Sequence, residues 1–126
     1  MMFEWNKFLE LAHWLESSTE EEKKRTAISR AYYSVYNLSK EYCICYSLRF
    51  VPMGKREDHW DLIKFLEGHP DILLRKASQG LKTLFKYRKH ADYDKNFPGD
   101  IGKATSLSIK TADKINSILI GHIPSA

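Results

Sequence analysis

The segment YRKHADYD, residues 87–94, holds the side chains best suited to chemistry. The residues before it place apolar side chains at helical spacing: Leu73, Leu74, Ala77, Leu81, Leu84 and Phe85. The same spacing continues to Arg88 and Asp92, which puts an arginine and an aspartate on the face expected to be buried. A buried charge is costly unless it is paired or used. The pattern therefore predicts either an ion pair between these two residues or an arginine that holds the phosphate of a nucleic acid or nucleotide.

A second unusual segment is AISRAYYSVY, residues 27–36, on an earlier helix. It puts Arg30 and three tyrosines among small residues. Arg30 shares a helical stripe with Tyr33, so we expect it to support the site by packing more than to touch a ligand. The hydroxyl of Tyr33 or Tyr36 is a further candidate partner for Arg88. The small residues of this helix also permit close packing with another helix or with a partner protein.

A row of long polar and basic side chains runs beside the Arg88 face at helical spacing: Arg75, Gln79, Lys82, Lys86 and Lys89. Such a row is often only a solvated helix surface. Interleaved with tyrosines, it would also suit single-stranded RNA, because cations hold phosphates and aromatic rings stack on bases. His59 and Trp60 open another helix and could border the same site, although we expect Trp60 to pack in the core.

Two helices account for the first part of the chain. The first carries apolar residues at helical spacing: Trp5, Phe8, Leu9, Ala12 and Leu15. Residues 18–22, STEEE, contain overlapping capping boxes, in which a hydroxyl accepts from the exposed amides of the first turn. They predict the start of the longest helix, which keeps its apolar spacing to about Tyr46. That helix ends in the segment 47–54, which contains proline and glycine.

Three further helices follow with short connections. One ends near Gly68, and the next runs from Asp71 to about Tyr93. The last is capped by Asp100 after a turn at residues 95–99. We find no strand pattern. The sequence therefore predicts an all-α fold, an antiparallel bundle of four to five helices.

The composition is that of a single globular domain covering residues 1–126, with a core from about 5 to 120. Twenty basic and sixteen acidic residues leave a net charge of +4, which permits a local phosphate-binding patch but does not by itself imply nucleic acid.

The start lacks the features of a signal peptide, and no apolar run approaches the roughly 20 residues of a membrane span, so we expect a cytoplasmic protein. Cys43 and Cys45 face apart on a helix and should not form a disulfide. The histidines and cysteines lack metal-ligand spacing, and neither a metal site nor a cofactor is predicted.

Three motifs occur in one order along the helices: AISRAYY at residues 27–33, His59 at the opening of a helix, and YRKHADYD at residues 87–94. In this order and separation they resemble the HEPN domain, the higher eukaryotes and prokaryotes nucleotide-binding family, and most closely its small single-domain prokaryotic branch. The resemblance covers about residues 5–120. It implies a bundle of four to five helices that forms a homodimer, often beside a partner protein in a toxin–antitoxin or anti-phage defence system.

Active HEPN proteins are metal-independent ribonucleases in which an arginine is followed, after four to six residues, by a histidine. Arg88 matches that arginine, but Tyr93 stands at the first histidine position, and Asp94 and Lys95 stand at the wider ones. A tyrosine with an ordinary pKa of about 10 is a poor general base at neutral pH. His90 lies two residues from Arg88 and faces away from it on an intact helix, so only an unwound helix or a second subunit could bring the two together.

The expected function is that of a HEPN-like dimeric domain that binds RNA or a nucleotide within a toxin–antitoxin or anti-phage module. The candidate catalytic residues are Arg88, His90 and Tyr93. The candidate RNA- or nucleotide-binding residues are Arg30, Tyr33, Lys82, Lys86, Lys89 and Asp92. Two alternatives stay open. One is a metal-independent endoribonuclease toxin that uses Arg88 and His90 across the dimer, and the other is a non-catalytic adaptor that docks a partner protein through the long helix.

Overall fold

A computed structural model describes residues 4–44 and 58–122, and every regular element within them is a helix. The helices, in chain order, are α1 (Asn6–Leu15), α2 (Glu21–Tyr42), α3 (Asp58–Glu67), α4 (Ile72–Tyr93) and α5 (Ile101–His122). The predicted all-α bundle is thus confirmed for these residues. The predicted break at residues 47–54 and Cys45 lie outside them. None of the helices that the structure describes is both long enough and apolar enough to cross a membrane.

α2 is the central element of the bundle, because it packs against α1, α4 and α5. Its predicted apolar face is fully buried at Ile28, Ala31, Tyr32 and Val35. On α4, Leu74 is fully buried, but 42% of the surface of Leu73 is exposed, so the prediction that both face the core is wrong. Adjacent residues on a helix point about 100° apart, and at the first turn of α4 only one of the two reaches the core.

Two predicted helix starts and one predicted turn are confirmed. Asp71 Oδ1 accepts a hydrogen bond from the amide of Leu73 at 2.8 Å and caps α4. Asp100 Oδ1 accepts from the amide of Lys103 at 3.1 Å, at the start of α5. The turn between α4 and α5 ends at Gly99, whose φ of +83° lies in the region that favours glycine.

The predicted capping boxes in residues 18–22 are wrong. Glu20 is the N-cap of α2 and makes no side-chain cap bond, while Ser18 Oγ accepts from the Glu20 amide at 3.1 Å. The Ser18 hydroxyl thus forms a hydrogen bond within the turn that precedes the helix. Serine side chains can bond to nearby backbone amides in this way instead of capping a helix. Glu21 and Glu22 in the first turn still favour the start of α2, because their charges complement the helix dipole.

A histidine–aspartate pair ties the end of α5 to the start of α4. His122 Nε2 lies 2.8 Å from Asp71 Oδ2, and His122 Nδ1 lies 2.7 Å from the carbonyl oxygen of Ile118. Since both ring nitrogens face acceptors, the doubly protonated ring is favoured, and the pKa of His122 is raised, first by the Ile118 carbonyl and then by Asp71. The pKa of Asp71 is lowered, first by its bond with His122.

We expect this pair to stabilise the fold in mild acid and to lose its effect in base. The His122 contribution is complete below the ordinary histidine pKa of about 6.5 and is lost as the pH rises through its raised folded value. The Asp71 contribution is present above its ordinary pKa of about 3.8 and is lost as the pH falls through its lowered folded value. The melting temperature of His122→Gln should therefore lie below that of the parent most clearly at about pH 5 and should match it at about pH 9. A gap of equal size at both pH values would contradict an ionic role for the pair.

Candidate functional site

Arg88 is the central residue of the candidate site, and it is buried as predicted. Only 6% of its surface is exposed. Its guanidinium lies 5.3–5.6 Å from four aromatic ring centroids, those of Tyr32, Tyr33, Phe85 and Tyr93. Rings at this distance attract a cation through their π faces. α2 and α4 thus surround one positive charge with aromatic side chains.

The polar partners of Arg88 are few and distant. Its Nη1 lies 3.7 Å from Asp92 Oδ2, which confirms the predicted ion pair but is too long for a hydrogen bond. Nη1 also lies 3.5 Å from the Tyr93 hydroxyl. Nε is buried and has no hydrogen-bond partner among the described residues. The Arg88 guanidinium contacts the aromatic ring of Tyr33. The sequence had suggested a hydrogen bond to the hydroxyl of Tyr33 or Tyr36 instead.

Arg88 lines a cavity of about 170 Å³, which we call the Arg88 cavity. The described residues that line it are Tyr33, His59, Phe85, Arg88, Lys89 and Tyr93. None of these is acidic, and the set contains a guanidinium, an ammonium and two phenols, all hydrogen-bond donors. The lining is therefore electropositive, which complements a phosphate or another oxyanion, although Asp92 outside the lining offsets part of the Arg88 charge.

His59, near the start of α3, completes the cavity as a neutral side chain. Its ring stacks on Tyr36 with the centroids 4.1 Å apart, and its Nδ1 lies 2.5 Å from the hydroxyl of Tyr32. Burial, and then the charges of Arg88 and Lys40, lower the pKa of His59 to about 4, so the ring is uncharged at neutral pH. Burial also raises the pKa of Tyr32, which keeps its proton. We assign the Tyr32 hydroxyl as the donor and His59 Nδ1 as the acceptor of their hydrogen bond. The proton of the neutral His59 ring is then on Nε2, which can donate.

His90 lies apart from Arg88, as the helical spacing predicted. α4 is continuous over Ile72–Tyr93, so the unwinding that could bring the two side chains together does not occur. His90 Nδ1 lies 2.5 Å from Asp94 Oδ2, and the ring lines a neighbouring groove instead of the Arg88 cavity. Tyr93 does line the cavity, with 74% of its surface exposed. One chain therefore brings together only two of the three candidate catalytic residues.

Arg30 and Asp92 lie beside the cavity without lining it. The Arg30 guanidinium lies over the rings of Phe8 and Tyr33, at 4.7 and 5.3 Å from their centroids. Its Nη2 donates to Ser29 Oγ at 3.2 Å, and that hydroxyl donates to Asp92 Oδ2 at 3.3 Å. Arg30 thus contacts the same tyrosine ring that Arg88 contacts, and it helps to hold that ring at the cavity.

The predicted basic row on α4 divides into parts with different contacts. Arg75 Nη1 donates to the carbonyl oxygens of His69 and Pro70, both at 2.8 Å, so Arg75 belongs to the turn before α4. Lys82 Nζ pairs with Glu67 Oε2 at 2.7 Å. The hypothesis of one continuous phosphate-binding row is therefore too simple, because two of its cations already have protein partners.

A second space, of about 420 Å³, adjoins the Arg88 cavity, and we call it the Trp60 groove. The described residues that line it are Trp60, Lys82, Phe85, Lys86, Lys89 and His90. The prediction that Trp60 packs in the core is wrong, since 43% of its surface is exposed. The buried apolar positions of α3 are Leu62, Ile63 and Leu66, and their spacing leaves Trp60 on the outer side. The three candidate phosphate-binding lysines thus meet in this groove.

Arg25 holds the end of α4, a role that no sequence motif indicates. Its guanidinium donates to four backbone carbonyls there, those of His90 (3.3 Å), Ala91 (3.0 Å), Asp94 (2.6 Å) and Lys95 (3.2 Å). The last carbonyls of a helix lack intrahelical donors, and a cation near them also complements the helix dipole. Arg25 is therefore a positioning residue for the segment that carries Arg88 and Tyr93.

Within the described residues, no group of three or more histidine, cysteine, aspartate or glutamate side chains is placed to hold a metal ion. Comparison with protein-family models, with curated proteins and with solved structures found no significant match to this chain. The resemblance to the HEPN domain therefore rests on the three sequence motifs. The fold and the site define a helical bundle with a buried arginine at an electropositive cavity.

Proposed function

We propose that this protein is a HEPN-like domain that binds RNA or a nucleotide through a phosphate held in the Arg88 cavity. The observation that carries the proposal is the place of Arg88: its buried side chain lines the cavity, and its polar contacts are long, 3.7 Å to Asp92 and 3.5 Å to the Tyr93 hydroxyl. A buried charge without close partners is costly. A phosphate oxygen in the cavity would accept a charge-assisted hydrogen bond from the guanidinium.

A purely structural role for Arg88 accounts for less of the geometry. A strong ion pair of arginine and carboxylate is short, at about 2.7–2.9 Å, and is often bidentate. The contact of Arg88 with Asp92 is made through Nη1 at 3.7 Å. Asp92 also accepts from Ser29, at 3.3 Å. The long contact leaves the guanidinium with donor capacity for an anion.

We also propose that the domain is a homodimer and works in the cytoplasm within a toxin–antitoxin or anti-phage module, as the resemblance to HEPN proteins implies. Sedimentation equilibrium at a concentration on the order of tens of micromolar tests the homodimer, and a monomer there would remove it from the proposal. The product of the neighbouring reading frame is the first candidate for a cognate antitoxin or defence partner.

The ribonuclease alternative has weaker support in the geometry. In one chain, His90 faces the Trp60 groove and is bonded to Asp94. His59 lines the Arg88 cavity, but a pKa of about 4 makes it a weak base at neutral pH. Cleavage through Arg88 and His90 would need His90 of the partner subunit to reach the cavity. The geometry therefore favours binding without cleavage.

Replacing Lys86 and Lys89 together by glutamine should weaken the binding of single-stranded RNA and reduce its salt dependence. Each lost phosphate contact lowers the slope of log K against log salt by about 0.7 for a single strand, so we expect a loss of about 1.4. Fluorescence anisotropy of a labelled oligonucleotide over a salt series measures both quantities. The matched control is Lys103→Gln with Lys110→Gln, which removes the same charge from a separate cavity on α5.

Equal weakening by the two pairs of substitutions would indicate non-specific attraction to a basic protein instead of a site at the Arg88 cavity. If the parent protein binds neither RNA nor a nucleotide, the proposal fails. The adaptor alternative, in which α2 docks a partner protein, would then take first place.

A further inference from the structure

The Arg88 cavity is too small to enclose a whole nucleotide. Its volume is about 170 Å³, whereas sites that enclose a drug-sized ligand measure about 300–1,000 Å³. A phosphate group suits the smaller volume, but the base of the same ligand must lie elsewhere. The Trp60 groove, at about 420 Å³, is the adjoining space.

The cavity and the groove share a wall made by Phe85 and Lys89. These two residues lie about one helical turn apart on α4, and Lys89 Nζ is 5.6 Å from the Phe85 ring centroid. On α3, His59 lines the cavity and Trp60 lines the groove. Consecutive helix residues point about 100° apart, so α3 presents one side chain to each space. The two spaces are therefore adjacent parts of one surface.

The groove has the chemistry of a base-stacking site on a nucleic-acid strand. Trp60 exposes a large aromatic ring, and Lys64 Nζ and Lys82 Nζ each lie 5.9 Å from its centroid. No acidic residue is among the described residues that line the groove, although Glu67 pairs with Lys82. Lys82 is neutralised by that pair, but Lys89 at the wall shared with the Arg88 cavity and Lys64 at the ring remain as cations on the two sides of the groove. Phosphates likewise precede and follow each base in a strand.

We propose that the Arg88 cavity and the Trp60 groove bind successive parts of a single-stranded RNA, with one phosphate in the cavity and an unpaired base stacked on Trp60. This inference rests on the proposed function and narrows its ligand from RNA or a nucleotide to a strand with free bases. A duplex cannot supply the stacked base, because its bases lie inside the helix. A mononucleotide has no second phosphate to place beside Lys64 at the Trp60 ring.

The test measures binding of one RNA hexanucleotide, as a single strand and as a duplex, by fluorescence anisotropy. Trp60→Ala should lower the affinity for the single strand about tenfold or more, because one stacked base contributes at that level. Trp60→Leu keeps apolar volume without the ring and should behave alike, while Trp60→Phe should retain most of the affinity. The control is Trp14→Ala on α1, which is 76% exposed and lines neither space.

Ribose 5-phosphate, which has no base, reports the Arg88 cavity alone when its binding is followed by NMR titration. It should bind Trp60→Ala as it binds the parent. In one contrary outcome, Trp60→Ala and Trp60→Leu both keep the parent's affinity for the single strand while Arg88→Gln loses it. That result would rule out the stacking site and would support the phosphate site at Arg88. Equal affinity for the duplex or for adenosine monophosphate would overturn the single-strand assignment. If the parent binds neither RNA nor ribose 5-phosphate, both proposals fail together.

Discussion

Arg88→Gln is expected to lower the affinity for RNA by a factor of about 10 to 150 while the protein stays folded. A hydrogen bond to a charged group contributes about 1.5–3 kcal/mol, which corresponds to that range. Glutamine keeps much of the side-chain length, so the rings around position 88 lose the cation but little packing. Arg88→Lys keeps the charge without the planar guanidinium and should bind with intermediate affinity. Fluorescence anisotropy measures the affinities, and circular dichroism confirms that each variant is folded.

Lys110→Gln is the control for Arg88→Gln, since it removes one charge from a residue that lines a separate cavity on α5. It should bind RNA like the parent. An unchanged affinity in Arg88→Gln, with the parent binding well, would place the phosphate site elsewhere on the molecule.

An RNA-cleavage assay tests the ribonuclease alternative. RNA incubated with the parent protein and a metal chelator should stay intact. If it is instead cut to 2′,3′-cyclic phosphate ends, and if Arg88→Ala and His90→Ala each abolish the cutting, the two residues act as a catalytic unit across a dimer.

Arg25→Lys should produce the largest loss of stability among single conservative substitutions at this site. The free energy of unfolding should fall by about 2–3 kcal/mol, which lowers the Tm of a domain of this size by roughly 5–15 °C. The guanidinium of Arg25 donates hydrogen bonds to four carbonyl oxygens at 2.6–3.3 Å. Lysine keeps the charge, but its single ammonium cannot reach all four. Thermal unfolding followed by circular dichroism measures the loss. Faster hydrogen exchange at the Asp94 amide, which donates to the His90 carbonyl, would locate it at the end of α4.

Lys23→Gln is the matched control on the same helix. Lys23 is half exposed and pairs with Glu20 at 3.0 Å, so its removal should change the free energy of unfolding by less than about 0.5 kcal/mol. Melting curves of Arg25→Lys and Lys23→Gln that coincide would show that the four carbonyl contacts contribute little to stability.

The burial of Arg88 could be predicted because its signal is local. Helical spacing relates Arg88 to Leu84 and Ala91, so the buried face follows from residues close in the chain. The same rule predicted that His90 points away from Arg88, and the structure places the two in different spaces. Helix positions and aspartate caps were predictable for the same reason, since apolar periodicity and capping are short-range features.

The predictions that failed concern residues whose type permits two different local environments or hydrogen-bond partners. Trp60 is large and apolar, and burial is its common outcome, but three aliphatic side chains already form the buried face of α3. Ser18 could cap α2 or bond within the turn before it, and the backbone path into the helix selects the turn. Residue type limits the outcomes in both cases, while the packing around the residue selects one of them.

The local sequence is sufficient to predict a set of amphipathic helices and one charged, tyrosine-containing motif on a buried face of α4. The side chains that surround this charge depend on how the helices pack, because His59 comes from α3 and Tyr33 from α2, and Arg25 of α2 holds the end of α4. Spacing within one helix carries no information about how three helices pack together. The pKa of about 4 for His59 follows from the same packing, because desolvation depends on neighbours from every side and not on residue type.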